Sequence, residues 1–350
     1  MDAAKRLARL REVLFESPSK EVWEEILGLY EDWDYTNDLD VGIDYAVGPL
    51  EAWPETLRRA PKHWCQVMLG QPKYLIRRTW ERGNRTHPAM KLVRHLNLQT
   101  NFLGKPRLKP KALKCIVKAK PLRWITRLSL DGHQFGDDGA YELGEAVHLK
   151  SLKHLSLEVC SLGCQGVWDL IEGKGRLLDG LESLVLNSNP IGNVGARGLA
   201  QCEGLGGLER LELKSCRITR QGWEALFGSP YLSNLTHFAA GSHGSSLWIE
   251  GMAQAPFAVS VQTLELGWGV RDAKGLKQLM AGQWPMLVSL DVSGASCSTA
   301  VAREFAQWVV DQGLSSLRAN YVSDELRQAL WDMARDNPAL ELEAKEPEVW

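Results

Sequence analysis

Leucines recur in phase down the last two thirds of this chain. Leu152, Leu155 and Leu157 stand three and then two residues apart, and the spacing returns at Leu181, Leu184, Leu186 and at Leu208, Leu211, Leu213. Three residues beyond each set comes Cys160, Asn189 or Cys216, and two further an aliphatic, Leu162, Ile191 or Ile218. Apolar residues alternating with polar ones predict a short strand with one buried face. Upstream the phase continues at Ile125, Leu128, Leu130 and at Val93, Leu96, Leu98. Downstream it degenerates at Leu235 and Phe238, returns at Val261, Leu264, Leu266 and at Leu287, Leu290, Val292, and starts a truncated last copy at Leu314 and Leu317. The copies begin 26 to 32 residues apart.

That spacing leaves room for a helix after each strand. Gly139-Ala140, Gly166-Val167 and Gly195-Ala196 begin similar stretches, each reaching a leucine (Leu143, Leu170, Leu199), and Gly222-Trp223 with Leu226 is a bulkier version. Glycine lets the backbone turn tightly where the helix begins, and the apolar residues behind it give the helix a face toward the strands. One strand–turn–helix unit cannot bury its own apolar face, so the units must stack to make a core. The Cys or Asn falls where the chain turns and leaves buried backbone groups. Asn bonds such groups, and Cys fills the place as a small hydrophobe with a weak donor.

The pattern L-x-x-L-x-L-x-x-N/C-x-L, carried by these residues over about residues 92–320, resembles the ribonuclease-inhibitor-like class of leucine-rich repeat proteins. The resemblance implies an α/β leucine-rich repeat horseshoe, with a parallel β-sheet inside and helices outside. It also implies a non-enzymatic scaffold or adaptor that binds a protein partner on the concave face, including as an inhibitor or regulator. The departures lie at residues 235–275, where Phe238, Ala240 and the run Gly241-Ser242-His243-Gly244-Ser245-Ser246 replace the expected leucines and Asn. The regularity of that stretch is open.

The N-terminal third reads differently. A helix over 3–16 carries Leu7, Leu10, Val13 and Leu14 on one stripe, and Ser17-Pro18 reads as the start of a second bearing Val22, Trp23, Ile26, Leu27 and Tyr30. Residues 31–44 read as an acidic loop, followed by helix-like stretches at 45–60 and 61–82. The expected organisation is a helical capping domain over 1–90, repeats over 91–322, and a capping helix and tail over 323–350. The helical part resembles the small domain that precedes the repeats in some bacterial leucine-rich repeat proteins.

Charge is segregated although the net is −2. Residues 1–56 carry 5 basic and 14 acidic side chains, residues 57–123 carry 18 and 1, and residues 124–350 carry 18 and 28. The basic group comprises Arg77, Arg78, Arg82, Arg85, Lys105, Arg107, Lys109, Lys111, Lys114, Lys118 and Lys120. Such density attracts phosphates, yet no zinc knuckle, helix-turn-helix or RNP pattern accompanies it. Internal neutralisation by the acidic segments, an acidic protein partner, and nucleic acid or membrane headgroups all stay open, with nucleic acid not favoured. Asp32, Asp34, Thr36, Asp38 and Asp40 alternate as in a calcium loop, but Asn37 and Ile43 stand where an EF-hand needs Gly and Glu.

On the strands, side chains between the leucines face the concave side. One column is His95, Arg127, His154, Ser183, Arg210, His237 and Thr263; adjacent columns contribute Asp131, Glu158, Glu212, Glu265 and Asp291, with Trp268 as an aromatic anchor. This predicts either a striped recognition surface or charges that pair among themselves. No G-x-x-x-x-G-K-[ST], H-E-x-x-H or G-x-S-x-G occurs, so no catalytic residue, metal or cofactor is expected. Seven cysteines, no apolar leader at Met1–Leu7 and no run of about 18 apolar residues predict a reduced, cytoplasmic protein without a membrane span, and the resemblance of the helical part implies a bacterial one.

Overall fold

The structure, a computed structural model, describes residues 3–30, 33, 37–53, 95–100, 108, 110–118, 120–241 and 248–345. Among them ten three-residue strands form one sheet: β1 (His95–Asn97), β2 (Arg127–Ser129), β3 (His154–Ser156), β4 (Ser183–Val185), β5 (Arg210–Glu212), β6 (His237–Ala239), β7 (Thr263–Glu265), β8 (Ser289–Asp291), β9 (Ser316–Arg318) and β10 (Glu341–Glu343). Every neighbouring pair is parallel and the strands follow one another in chain order. Helices follow the strands: α5 (Gly136–Gly144), α6 (Cys164–Glu172), α7 (Gly192–Gln201), α8 (Arg220–Phe227), α9 (Ile249–Met252), α10 (Ala273–Met280), α11 (Thr299–Gln312) and α12 (Asp324–Asp336). The fold is therefore the expected α/β leucine-rich repeat horseshoe.

Register follows from the leucines. The middle residue of each strand is Leu96, Leu128, Leu155, Leu184, Leu211, Phe238, Leu264, Leu290, Leu317 or Leu342, each opposite the next. All but Leu342 are buried, and Leu342 packs against the same core. A one-residue slip would turn this whole row to the open face, so the register is strongly specified.

Numbering each repeat from its first strand residue, position 7 does what the turn requires in the β2–β5 repeats, whereas in the β7, β8 and β9 repeats it is Gly269, Ala295 and Val322. Asn189 Oδ1 accepts from the amides of Cys160 and Leu162, each at 3.0 Å, while Nδ2 donates to the carbonyls of Leu157 (2.7 Å) and Leu186 (2.9 Å). Where Cys replaces Asn, its thiol donates backward: Cys160 Sγ to Leu130 O and Cys216 Sγ to Leu186 O, both 3.2 Å. In the β2 repeat this place is taken by His133, which the repeat pattern does not anticipate. Nδ1 accepts from the Leu108 amide (3.1 Å), so the proton sits on Nε2, 2.6 Å from Leu98 O.

The degenerate stretch keeps its register, with Phe238 opposite Leu211 and Leu264. An aromatic cluster fills the space behind it. Trp223 stacks on Trp248 at 5.0 Å, and Phe238 meets Phe257 at 5.0 Å. Residues 242–247 lie outside the described ones.

At the N-terminus α1 (Ala3–Val13), α2 (Lys20–Tyr30) and α3 (Asn37–Glu51) gather a second core around Leu10, Trp23, Ile26, Tyr30, Trp33 and Leu39. Trp124, in the turn before β2, packs against it. Two expectations change here. The second helix begins at Lys20, and it is the Ser19 hydroxyl that accepts from the Val22 amide, at 3.2 Å, in place of Ser17. Residues 37–44, expected as part of an acidic loop, lie in α3. Leu39, Ala46 and Leu50 are buried at helical spacing, and the Tyr30 hydroxyl donates to Gly42 O at 2.8 Å. A further helix, α4 (Pro110–Val117), precedes β2. The expected helix over 61–82 lies outside the described residues.

Among the described residues no group of three or more His, Cys, Asp and Glu is arranged to hold a metal ion. No described helix is long and apolar enough to cross a membrane.

Candidate functional site

The open face of the sheet carries positions 1, 3 and 5 of each repeat. Position 1 is the expected column of His95, Arg127, His154, Ser183, Arg210, His237 and Thr263. Glu212, Glu265 and Asp291 occupy position 3. Asp131 and Glu158 sit two residues further on, at position 5. Hydrogen bonds still join the repeats there: Thr100 N donates to Asp131 O at 2.8 Å and Gly132 N to Glu158 O at 2.7 Å.

The middle of this face forms a closed circuit. Arg210 Nε and Nη2 both donate to Glu212 Oε1, at 2.8 and 2.5 Å. Asn187 Nδ2 donates to Glu212 Oε2 at 2.6 Å, and Asn187 Oδ1 accepts from the Lys214 amide at 2.8 Å. The Lys214 ammonium pairs with Glu265 Oε2. Glu265 Oε1 lies 3.3 Å from His237 Nε2, and His237 Nδ1 lies 3.2 Å from Arg210 Nη1, which closes the loop. His237, then Lys214, hold the Glu265 carboxyl down at about 2 although burial opposes them. Across β4–β7, therefore, the stripes pair with each other.

On the N-terminal strands they do not. Arg127 is exposed and makes no ion pair with another described residue. His154 Nε2 is 4.0 Å from Glu182, and its pKa is lowered by burial and then by Arg127. Asp131 is spent locally: its oxygens accept from the Ser129 and Ser156 hydroxyls and from the Glu158 amide, at 2.9, 2.7 and 2.9 Å. Glu158 has no ion pair among the described residues, and burial, followed by Asp131 and Glu212, pushes its carboxyl up. The side chain of His95 lies outside what is described.

The C-terminal strands present aromatic surface. Trp268 is 43% exposed and Tyr321 47%. Their rings stack at 6.0 Å and 25°. Both stand at position 6, in left-handed backbone with φ of 62° and 58°; the repeat between them has Gly294 there, φ 82°. A Cβ on Gly294 would come within 2.6 Å of the Trp268 ring, so this glycine leaves the space the pair occupies. Asp291 caps its own turn, accepting from Ser293 N at 2.8 Å, and faces Arg318 at 3.8 Å. Tyr321, Asn187 and Lys214 escaped the sequence reading. The signal for Tyr321 was its offset from Leu314, the same as that of Trp268 from Val261.

Of the basic group, Arg77, Arg78, Arg82, Arg85, Lys105, Arg107 and Lys109 lie outside the described residues, as do the side chains of Lys111 and Lys120. Lys114 pairs with Glu142 of α5 at 3.0 Å, and Lys118 is exposed.

A sequence model of the family described as Leucine Rich repeat matches residues 122–144 and 181–200. Ribonuclease inhibitor of Mus musculus is 33% identical over 129 residues, 35% of this chain and 27% of that protein. Ribonuclease inhibitor of Sus scrofa is 31% identical over 174 residues, 45% of this chain and 37% of that protein. The chain thus spans well under half the length of these two curated relatives. Among solved structures, the crystal structure of the Rad7 and Elc1 complex in yeast aligns over 87% of this chain and 92% of that chain at 13% identity. Its TM-score of 0.34 is too low to carry an argument.

Proposed function

We propose that this chain, which is a leucine-rich repeat protein similar to ribonuclease inhibitors, is a non-enzymatic scaffold that docks a protein partner on the open face of its sheet. The observation that carries this reading is the Trp268–Tyr321 pair. The left-handed backbone at position 6 recurs at Gly132, Val159, Ser188, Ser215 and Gly294, so it belongs to the turn of the repeat and not to this pair. At Trp268 and Tyr321 that turn carries two large aromatic rings half in solvent, side by side, at one end of a face made mostly of polar side chains, with Val185 and Ala239 as apolar exceptions. Exposed Trp and Tyr backed by a rigid support are the residue types that dominate binding energy in protein interfaces.

The middle of the face is neutralised within itself, so among the described residues the groups left to a partner include Arg127 and Glu158 at one end and the aromatic pair at the other. Occupying a partner's surface in this way makes the chain an inhibitor or regulator of that partner. The reading includes a reducing, cytoplasmic setting: the Cys160 and Cys216 thiols are committed to carbonyls, and burial pushes both up to about 12, which leaves them unreactive.

Capture from native lysate tests it, with the wild-type chain, Trp268→Ala, Tyr321→Ala and the convex-face control Glu224→Ala run in parallel. Loss of a hot-spot aromatic weakens binding by about tenfold or more. The expected result is one captured protein that both aromatic variants lose and the control keeps. Equal capture by all four would overturn the proposal.

A further inference from the structure

The contact between Arg210 and His237 fixes where the histidine proton sits. A guanidinium has donors and no acceptor, and Arg210 Nη1 lies 3.2 Å from His237 Nδ1. Nδ1 must then present its lone pair, which places the single proton of the neutral ring on Nε2. That nitrogen is buried, and its 3.3 Å approach to Glu265 Oε1 is close enough for ion pairing but not aligned as a hydrogen bond. We propose that His237 is a proton-operated latch on Arg210, holding the guanidinium against the sheet while neutral and releasing it when protonated. The latch regulates the face assigned above to partner docking and rests on that reading only for its consequence.

The proton that converts the ring to imidazolium has one place to go, Nδ1, the atom that Arg210 occupies. Donor then faces donor and cation faces cation, so the contact is lost. Among the described residues the charged groups around the ring are Arg210, Glu212 and Lys214 from β5 and the turn after it, and Glu265 from β7. On β6 itself the neighbours, Thr236, Phe238 and Ala239, do not titrate. Glu265, held down at about 2, stays ionised throughout the range in which an imidazole titrates, and it draws the imidazolium toward itself. Arg210 keeps both of its bonds to Glu212 Oε1 and loses only the Nη1 contact. It therefore pivots about Glu212, and its free edge turns to solvent. In neutral form Arg210 and Lys214 balance Glu212 and Glu265; after protonation the cluster gains one positive charge and an available guanidinium edge. The partner chemistry favoured in acid is thus a carboxylate or another anion on the docked surface.

The test uses the full chain, labelled with ¹⁵N, and needs no partner. At about pH 8 the His237 ring should show the proton on Nε2. As the solution is made acidic, the Arg210 Nη1 proton signals should move with the same midpoint as the His237 ring. Their exchange with solvent should rise up to about tenfold, the worth of one net hydrogen bond, while the Nε–H, still bonded to Glu212 Oε1, should keep its protection. In His237→Asn the side-chain oxygen accepts from Arg210 at every pH, so the Arg210 signal should stay still. A proton on Nδ1 at about pH 8, an Arg210 signal that ignores the His237 titration, or the same movement in the Asn variant would each overturn the latch. Should the Asn variant not fold, the ring tautomer and the shared midpoint in the wild type still decide. Failure here leaves the docking reading to its own capture experiment, and failure there leaves the latch standing.

Discussion

At position 7 of the β2–β5 repeats a single side chain settles a local debt of hydrogen bonds, and the residue types differ in how much of it they settle. Asn189 is fully buried; it satisfies two amides through Oδ1 and two strand carbonyls through Nδ2. A thiol there can donate to a carbonyl but accepts poorly. Asn189→Ala leaves the Cys160 and Leu162 amides buried and unpaired, at a cost of about 1–3 kcal/mol per group. We expect a total loss of about 3–5 kcal/mol, a smaller loss for Asn189→Cys, and no change in the slope of a urea melt. Equal stability of the Ala and Cys variants would show that donation to the carbonyls counts for nothing. His133 performs the same double task in the β2 repeat with an imidazole. It was not legible because the sequence signature names only Asn and Cys, whereas the physical requirement is one acceptor and one donor a ring's width apart.

Among the elements, the strands could be read from the chain and the helix–helix distances could not. The leucine spacing was enough for β2–β8 because a three-residue strand with one buried side chain has a single stacking solution. β10 had no counterpart in the expectation of a capping helix and tail. Its residues are Glu341, Leu342 and Glu343, one apolar side chain between two charges, and only pairing with β9 makes it a strand. α3 was hidden by its aspartates, which mask a buried stripe of Leu39, Ala46 and Leu50. Close approach of α5 and α6 depends on backbone contacts that no periodicity reports. The Gly175 amide donates to Gly144 O at 2.7 Å, and a Cβ on Gly144 would lie 2.1 Å from Asp169 O. That obstacle is a helix carbonyl and cannot rotate away. Gly144→Ala, harmless by helix propensity, should therefore destabilise the chain by roughly 2 kcal/mol through overpacking. Gly180→Ala makes a useful contrast, because its Cβ would meet nothing within 4 Å and its cost comes from a φ of 72° alone. Thermal melts of the two variants distinguish the causes: a stable Gly144→Ala would mean the helices have room to part.

Across the repeats the core is one row of neighbours in which backbone pairing joins only adjacent repeats, while the side-chain pairs Lys214–Glu265 and Trp268–Tyr321 each reach over one repeat. Stability in such an array is a sum of unit and nearest-neighbour terms, so the ends have one stabilising neighbour where the middle has two. Three features strengthen the middle further. The aromatic cluster of Trp223, Trp248, Phe238 and Phe257 joins the β5 and β6 repeats. Asn189 joins the β3 and β4 repeats. The circuit from Asn187 to Glu265 ties β4 to β7 on the other side of the sheet. The C-terminal end has less to hold it: β10 contributes Leu342 to the core and hydrogen bonds to β9 alone. At the N-terminal end, Trp124 lies against the separate core of α1–α3, and we assign that helical layer the role of a cap over β1 and β2. These features together set an order of opening. In native-state hydrogen exchange, amides of β4–β7 should open only with global unfolding, those of β10 and α12 at lower free energy, and those of β2 between them. Trp124→Ala should bring β2 down toward the β10 value while leaving β5 unchanged. If β10 instead exchanged as slowly as β5, or if Trp124→Ala weakened every strand alike, the chain would be unfolding as a single cooperative block, and a nearest-neighbour account of its stability could not hold.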